Sequence, residues 1–196
     1  MIETIGLIAG SGWASGLNLY LVTLLLGIAG RAGWAEIPEV LTRLDVMIVT
    51  GVLFVVEFFA DKVPYLDNLW DAIHTFVRPL GAAALGAVIA GDSQSIGAAV
   101  GAVVAGGLAL DAHSAKASTR LVVNASPEPV SNIALSLVED VSVALLVALA
   151  VTYPLITVIV VGVLVVLATA LTVWLWRALG RAWHRVRARF GEIWSR

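Results

Sequence analysis

Residues 154–176 read PLITVIVVGVLVVLATALTVWLW and contain no charged side chain. A helix of about 20 mostly apolar residues is long enough to cross the hydrocarbon core of a bilayer. Because unpaired backbone groups are costly in lipid, a spanning segment must be a helix or part of a closed barrel. This stretch is long and lacks the alternation typical of strands, so it predicts a transmembrane α-helix.

Composition extends this prediction to the whole chain. Of the 196 residues, 60% are hydrophobic and 13% are charged, whereas soluble domains average roughly 45–50% apolar and about 25% charged residues. A water-soluble protein of this composition would expose large apolar patches and aggregate. Cysteine is absent, which excludes disulfides, thiolate metal sites and cysteine nucleophiles. We therefore predict an all-α, polytopic transmembrane helical bundle with the lipid bilayer as its partner.

Six segments are candidates for membrane spans, and turn-forming residues separate them. They cover residues 5–30, 44–63, 69–90, 95–123, 133–152 and 154–179. The third segment carries several charged residues, so it either spans the membrane or lies on its surface as an amphipathic helix. We expect one transmembrane helical domain over residues 1–180, followed by a basic amphipathic tail over residues 181–196.

Orientation follows from the basic residues, which favour the cytoplasmic side of a membrane. Six of the twelve fall between positions 177 and 196, so we expect a cytoplasmic tail that rests on anionic lipid. Six spans would then place the N-terminus in the cytoplasm as well. The tail directly follows a membrane span, which disfavours nucleic acid as a partner.

The fourth segment contains small residues at helical spacing, namely Gly97, Gly101 and Ala105. Such residues let helix backbones approach closely in lipid. The stretch 97–106 therefore predicts either ordinary packing within the chain or a homo-oligomer that forms through this helix.

A faint internal repeat is also visible. The string ASG at 14–16 resembles AST at 117–119, and each is followed by a Pro-Glu loop, an apolar helix and a further proline. Three spans followed by three spans would form two inverted repeats, which transporters often use to build binding sites from interrupted helices. Chance similarity between two apolar segments is the alternative.

Ionisable side chains recur on helix faces, where each costs roughly 2.5–3.5 kcal/mol at membrane depth. One stripe, spaced i, i+4, i+7 and i+11, consists of Asp67, Asp71, His74 and Arg78. Because such groups normally face a cavity or a partner, we predict a mixed-charge cavity that opens to the cytoplasm. The residues predicted to bind a substrate or ion there are Asn18, Glu57, Asp71, His74, Arg78, Asp111, Lys116, Arg120, Asn124, Glu139 and Asp140.

Plainer interpretations exist for several charged groups. Asp61, Lys62 and Asp67 are expected to belong to an interfacial loop. Lys116 and Arg120 are either site residues or cations that extend from a helix end towards the membrane surface.

Two other features are harder to assign to a helix end. Glu139 and Asp140 are adjacent acids about two turns inside a predicted span. Asn18 follows the glycine-containing stretch 12–16, which predicts either a local break whose backbone groups bind a solute or simple helix packing.

Catalytic and cofactor-binding motifs are missing from the sequence. It contains no phosphate-binding glycine loop, no paired-histidine zinc helix and no serine nucleophile elbow. The three histidines lie far apart in the sequence, so neither a metal site nor a cofactor is predicted.

Four strings are distinctive: SGWASGLNLY at 11–20, EFFADKVP at 57–64, AKASTR at 115–120 and NASPEP at 124–129. On these strings the chain resembles a family of small bacterial integral membrane proteins that is labelled only as a domain of unknown function. The resemblance covers nearly all of the chain up to about Leu179 and implies a location in the bacterial inner membrane. It implies no activity.

Three functional hypotheses remain open. The first is a transporter or channel for a small polar or anionic solute, held by Lys116 and Arg120 while acids carry protons. The second is a membrane-embedded enzyme that acts on a lipid headgroup or an isoprenoid phosphate, with Mg²⁺ held by Asp67, Asp71 and Asp111. The third is a structural membrane protein.

Transport is the favoured hypothesis. The basic residues between the acids argue against a site where several carboxylates converge on a metal ion, so an enzyme is less expected. A purely structural protein has little reason to hold Glu139 and Asp140 inside a span.

Overall fold

The long apolar segments form helices in the computed structural model, which describes residues 1–63, 65–91, 95–124 and 129–194. Side chains are described up to residue 181, apart from that of residue 129. The helices are α1 (Ile2–Arg31), α2 (Glu39–Thr42), α3 (Leu44–Ala60), α4 (Leu66–Ala90), α5 (Ile96–Val123), α6 (Pro129–Thr152) and α7 (Pro154–Trp194). These ranges contain no β-strand, and the predicted all-α membrane bundle is confirmed.

Within the described part of the chain, five helices are long and apolar enough to cross a membrane: α1, α4, α5, α6 and the Pro154–Arg181 part of α7. The 17 residues of α3 extend over about 26 Å at 1.5 Å per residue, close to the roughly 30 Å of a hydrocarbon core. The six predicted segments therefore correspond to α1 and α3–α7. The charged third segment is one 25-residue helix, α4, in spite of Pro79.

The first helix does not follow a straight path. Asn18 interrupts it with an extended backbone, at φ −153° and ψ 96°, which is the break that the sequence suggested. Residues from both ends of α1, Glu3 and Thr4 on one side and Gly33 and Trp34 on the other, line the same cavity. A straight helix of 30 residues would separate these ends by about 45 Å. We conclude that α1 is a hairpin whose tip lies at residues 16–18.

This hairpin defines two faces of the bundle. Gly6, near the N-terminus, packs against Pro154 at the start of α7, and α7 then continues for 41 residues. We call the side with both ends of α1 the hairpin face and the side towards the end of α7 the tail face. The two chain ends therefore lie on opposite faces, unlike the predicted arrangement, because α1 returns to the face from which it started.

The hairpin occupies the centre of the bundle, where Ala14, Val22 and Leu26 are completely buried. It contacts α3, α4, α5, α6 and α7. Close approach depends on glycine at Gly12, since a Cβ there would lie 2.8 Å from the Cα of Ala105 on α5. Non-helical backbone at membrane depth is tolerated only where protein or a cavity surrounds it, and the bundle provides that enclosure.

The small-residue stretch of α5 packs within the chain. Gly101 lies against Gly86 of α4, where a Cβ at Gly101 would be 2.9 Å from the Cβ of Ala90. Ala105 of the same stretch contacts both Gly12 and Gly86. These contacts show that residues 97–106 pack within the chain, and a homo-oligomer through this helix stays a prediction.

The proposed internal repeat stays a prediction. The break in α1 has no counterpart in α5, which is one helix over Ile96–Val123. The turn around residues 92–94 and the proline-rich segment 125–128 lie outside the described residues, as do the side chains of the basic tail beyond residue 181.

Candidate functional site

Eight charged side chains meet inside the bundle, in the half nearer the tail face. Each is at most 10% exposed. We call this set the ionic core; its carboxylates are Glu57, Asp61, Asp67, Asp71 and Glu139, and its cations are Arg78, Lys116 and Arg120. Four different helices and one helix end contribute, so the set forms only when the bundle is assembled.

Arg78, near the middle of α4, joins the core to the hairpin. Its Nη2 lies 2.5 Å from Glu57 Oε1, and its Nη1 lies 2.9 Å from Asp71 Oδ1. The same Nη1 is 2.8 Å from His113 Nδ1 and 3.4 Å from the carbonyl oxygen of Gly16. The charged groups of Arg78 and Glu57 are both fully buried. Hydrogen bonds between ionised groups such as these are stronger than neutral ones.

Arg120, on α5, connects α3, α4 and α6. Its guanidinium lies 2.6 Å from Glu139, 3.2 Å from Asp67 and 3.3 Å from Asp61. It also donates a 2.9 Å hydrogen bond to the backbone carbonyl of Asp61. Asn124, one turn along α5, donates to Asp67 at 2.8 Å.

Lys116, one turn before Arg120, binds the tip of the hairpin. Its Nζ lies 2.7 Å from Asp61 Oδ2 and 3.2 Å from Glu139 Oε2. It also donates to the carbonyl of Leu17 at 3.0 Å. A positive charge is favourable here because the carbonyls at the end of a half-helix carry partial negative charge.

The Leu17 carbonyl is free because of Asn18. In an unbroken helix this carbonyl would accept the N–H of Leu21, but that N–H donates to Asn18 Oδ1 at 3.0 Å instead. Asn18 thus acts as the N-cap of the second half-helix, a position that asparagine favours. Its amide nitrogen also donates to Asp140 Oδ1 at 3.2 Å, which ties the break to α6.

Two histidines border the core. His113 Nε2 lies 3.0 Å from the Thr75 hydroxyl. His74 bonds through Nδ1 to the Trp70 carbonyl at 2.8 Å and through Nε2 to the Tyr20 hydroxyl at 3.1 Å. Polar contacts therefore continue from the ionic core along one face of α4.

A second, smaller ion pair lies at the rim. Lys62 Nζ is 4.0 Å from Asp140 Oδ2, and the two side chains are 16% and 14% exposed. The ammonium also lies 3.1 Å from the centre of the Phe58 ring and donates to Ser136 at 3.2 Å. Lys62 and Asp140 are therefore more exposed than any side chain of the ionic core.

Most of the predicted site residues come together. Those in the ionic core are Glu57, Asp71, Arg78, Lys116, Arg120 and Glu139, and those bonded around it are Asn18, His74, Asn124 and Asp140. Asp111 does not join them: it accepts from Thr169 at 2.7 Å and from Trp13 Nε1 at 3.4 Å. The charged stripe of α4 is buried within the bundle. This excludes the alternative that α4 lies on the membrane surface as an amphipathic helix.

Asp61 and Asp67 were expected in an interfacial loop, and this expectation is wrong. Both are buried and paired with Arg120, although Val63 and Tyr65 between them are exposed. The sequence held the signal, since Asp61 follows Glu57 by four residues and Asp67 precedes Asp71 by four. His113 and Asn132, also buried, were outside the predicted set.

A family model described as a domain of unknown function, DUF4126, matches residues 5–177. The chain belongs to this family. The DUF4126 match contains the whole ionic core and the hairpin tip, and it ends within α7. No curated protein and no solved structure matches the chain.

Within this DUF4126 chain, two cavities lined by described residues lie outside the ionic core. A cavity of about 600 Å³ opens at the hairpin face between Glu3, Glu36, Ile89 and Pro154. A groove of about 310 Å³ lies between α5 and α7 at Asp111. The side chains of the ionic core contact one another in this conformation. A cavity that opens to the cytoplasm therefore stays a prediction for another conformation of the protein.

Metal chemistry has little geometric support. Among the described residues, no group of three or more histidines and acids is placed to hold a metal ion. Asp67 and Asp71 pair with Arg120 and Arg78, while Asp111 lies apart, so the three acids of the Mg²⁺ hypothesis do not converge.

Proposed function

We propose that this protein transports a small anionic or polar solute across the membrane, and that Arg78, Lys116 and Arg120 bind that solute. One observation carries the proposal: two buried cations, Arg78 and Lys116, donate to the broken tip of a hairpin inside a membrane bundle, and a third, Arg120, lies in the same ionic core. Buried ion pairs can often be replaced by apolar residues at no loss of stability. A purely structural role is therefore a poor reason to keep eight charges at this depth.

The hairpin supplies the second argument. Transporters commonly bind solutes where helices are interrupted, because the freed backbone groups face the site. Here Lys116 holds the freed carbonyl of Leu17, and Arg78 donates to the neighbouring carbonyl of Gly16. A solute that draws these cations away releases the tip, so solute binding and hairpin movement are coupled.

Charge distribution supports an orientation. The hairpin face carries the exposed acids Glu3, Glu36 and Glu39, together with the exposed pair Arg43–Asp45 and the exposed cation Arg31. The tail face leads to the basic residues that begin at Arg177. Since basic residues remain cytoplasmic, we place the tail in the cytoplasm and the N-terminus outside, in the inner membrane of a bacterium.

A carrier fits better than a channel. The three cations of the ionic core are in direct contact with its carboxylates. The cavity at the hairpin face stops short of the core, and the hairpin tip lies between the two. Passage of a solute therefore requires the tip to move, which is the behaviour of a carrier with alternating access.

Uptake into proteoliposomes tests the proposal. Liposomes with the purified protein are offered labelled phosphate, succinate, glutamate or chloride in turn. We expect uptake of at least one of them, reduced to the level of protein-free liposomes by Lys116→Met and by Arg120→Gln. Arg43→Gln, which removes an exposed cation, is the control and should transport normally. Absence of uptake for all four solutes, or equal uptake by the variants, would refute the assignment.

A further inference from the structure

The ionic core carries more negative than positive charge. It contains five carboxylates and three cations, which leaves a net charge of −2 when every group is ionised. The rim pair Lys62 and Asp140 adds one charge of each sign and does not change this balance. A net charge enclosed in a low-dielectric interior is costly unless something neutralises it.

The neighbouring histidines do not supply the missing charge. The guanidinium of Arg78 can only donate, so His113 Nδ1, at 2.8 Å, must accept. The proton of His113 is therefore on Nε2, where it donates to Thr75, and the ring is neutral. His74 satisfies both of its hydrogen bonds as a neutral ring, with Nδ1 donating to a carbonyl and Nε2 accepting from Tyr20.

The other elements around the core bring no further cation to it within the described residues. The hairpin contributes backbone carbonyls and the amide of Asn18. The charged side chains described on α7, Arg177 and Arg181, follow its apolar stretch towards the tail face. The positive charge that neutralises the core must therefore come from a bound ion or proton, because the described side chains do not supply it.

Three carboxylate oxygens of the ionic core are the candidate sites for the neutralising positive charge. Glu57 Oε2, Asp61 Oδ1 and Asp71 Oδ2 are buried without a hydrogen-bond partner, while the second oxygen of each carboxyl contacts a cation. Arg120 Nε lies 3.8 Å from Asp71 Oδ2, beyond hydrogen-bonding distance. An unpaired anionic oxygen in this position is unfavourable, and a bound proton removes its charge.

We propose that the ionic core is a proton-binding site that holds two protons at rest, shared among Glu57, Asp61 and Asp71. Two protons bring the net charge to zero and leave the salt bridges of the other oxygens in place. Protons are favoured over a metal ion because no group of three ligands is arranged for one among the described residues.

Proton binding also names the coupling ion of transport, and this step rests on the proposed function. An anion that binds Arg78, Lys116 or Arg120 displaces a carboxylate, and it adds negative charge to an enclosed space. The core stays neutral only if each negative charge of the solute brings one more proton. Transport is then an electroneutral symport of the anion with protons, driven by a pH gradient and indifferent to membrane potential.

Infrared spectroscopy of the protein in liposomes tests the proton count without any solute. At neutral pH we expect the carbonyl stretching band of protonated carboxyl groups, shifted when the sample is exchanged into heavy water. Glu57→Gln leaves four acids against three cations, so one proton suffices and the band should fall by half. Arg78→Gln leaves five acids against two cations, so the band should rise by half.

Controls keep the result decisive. Asp45→Asn, an exposed acid that is 63% accessible, should leave the band unchanged. If Glu57→Gln fails to fold, as judged by gel filtration, Asp71→Asn carries the same expectation. A folded wild type without the band would overturn the proposal, as would a band that ignores these substitutions. Stabilisation by Na⁺ or K⁺ in the absence of the band would assign the charge to an alkali cation and would also overturn it.

A failure of the proton-binding proposal can be distinguished from a failure of the transport proposal. The band reports protonation whether or not any solute moves. Anion uptake that depends on membrane potential while the band is present would refute only the electroneutral coupling.

Discussion

Lys116 on α5 donates a 3.0 Å hydrogen bond to the carbonyl of Leu17, the last residue before the break in α1. The acceptor is available because the side chain of Asn18 has taken the N–H of Leu21. A charged side chain buried in one helix therefore depends on an interruption in another. This relationship links the path of the chain to the ionic core, and several measurable consequences follow from it.

Removing the cap should destabilise the hairpin. Asn18→Ala loses the capping oxygen and the hydrogen bond to Asp140, and we expect a loss of about 1–2 kcal/mol in unfolding free energy. Asn18→Ser keeps a capping oxygen and should fall between the alanine variant and the wild type. Denaturant unfolding of the purified protein in detergent measures both. An alanine variant as stable as the wild type would mean that Asn18 does not hold the break.

Neutralising a cation of the core should cost more than neutralising an acid. Arg78→Gln leaves two carboxylates without their partner, a change typically worth about 3–5 kcal/mol. Glu57→Gln lowers the number of protons that a neutral core needs from two to one and should cost less. The penalty of Arg78→Gln should shrink as the pH is lowered, because an added proton replaces the lost positive charge. Thermal unfolding across pH checks this, and equal penalties for the two variants would contradict the excess of acids.

The crossing of α4 and α5 should tolerate no added methyl group. A Cβ at Gly86 would lie 2.6 Å from the Cβ of Ala105, so Gly86→Ala forces the helices apart and should cost about 1–3 kcal/mol. Gly162→Ala on α7 is the matched control, because nothing lies within 4 Å of that Cβ position. The control should be neutral or slightly stabilising, as alanine favours helices. Similar unfolding temperatures for both variants would argue against the close crossing.

The sequence predicted much of the candidate site because helical spacing is local information. Asp67, Asp71, His74 and Arg78 share one stripe by arithmetic alone, and the structure buries all four. Lys116, Arg120 and Asn124, at the end of α5, likewise share one stripe by their spacing, and all three are buried. Which acid pairs with which cation could not be derived, since that depends on how five helices pack.

The path of α1 could not be predicted from hydropathy. Its two halves, residues 2–17 and 19–31, follow each other without a polar loop, so they look like one long span. Asn18 signalled a break, but a single non-helical residue does not reveal the direction in which the chain leaves it. The opposite positions of the chain ends follow from that direction, and the prediction for the termini differed for this reason.

Everything proposed for the ionic core depends on the tip of α1 reaching it from one face of the membrane. The natural chain has no cysteine, so single-cysteine variants can be labelled in oriented vesicles with a membrane-impermeant thiol reagent. We predict that Glu3→Cys and Glu36→Cys react from the same side and that Arg181→Cys reacts from the opposite side. The buried variant Ala14→Cys should stay unlabelled. Labelling of positions 3 and 36 from opposite sides would show that α1 crosses the membrane once and would contradict the account.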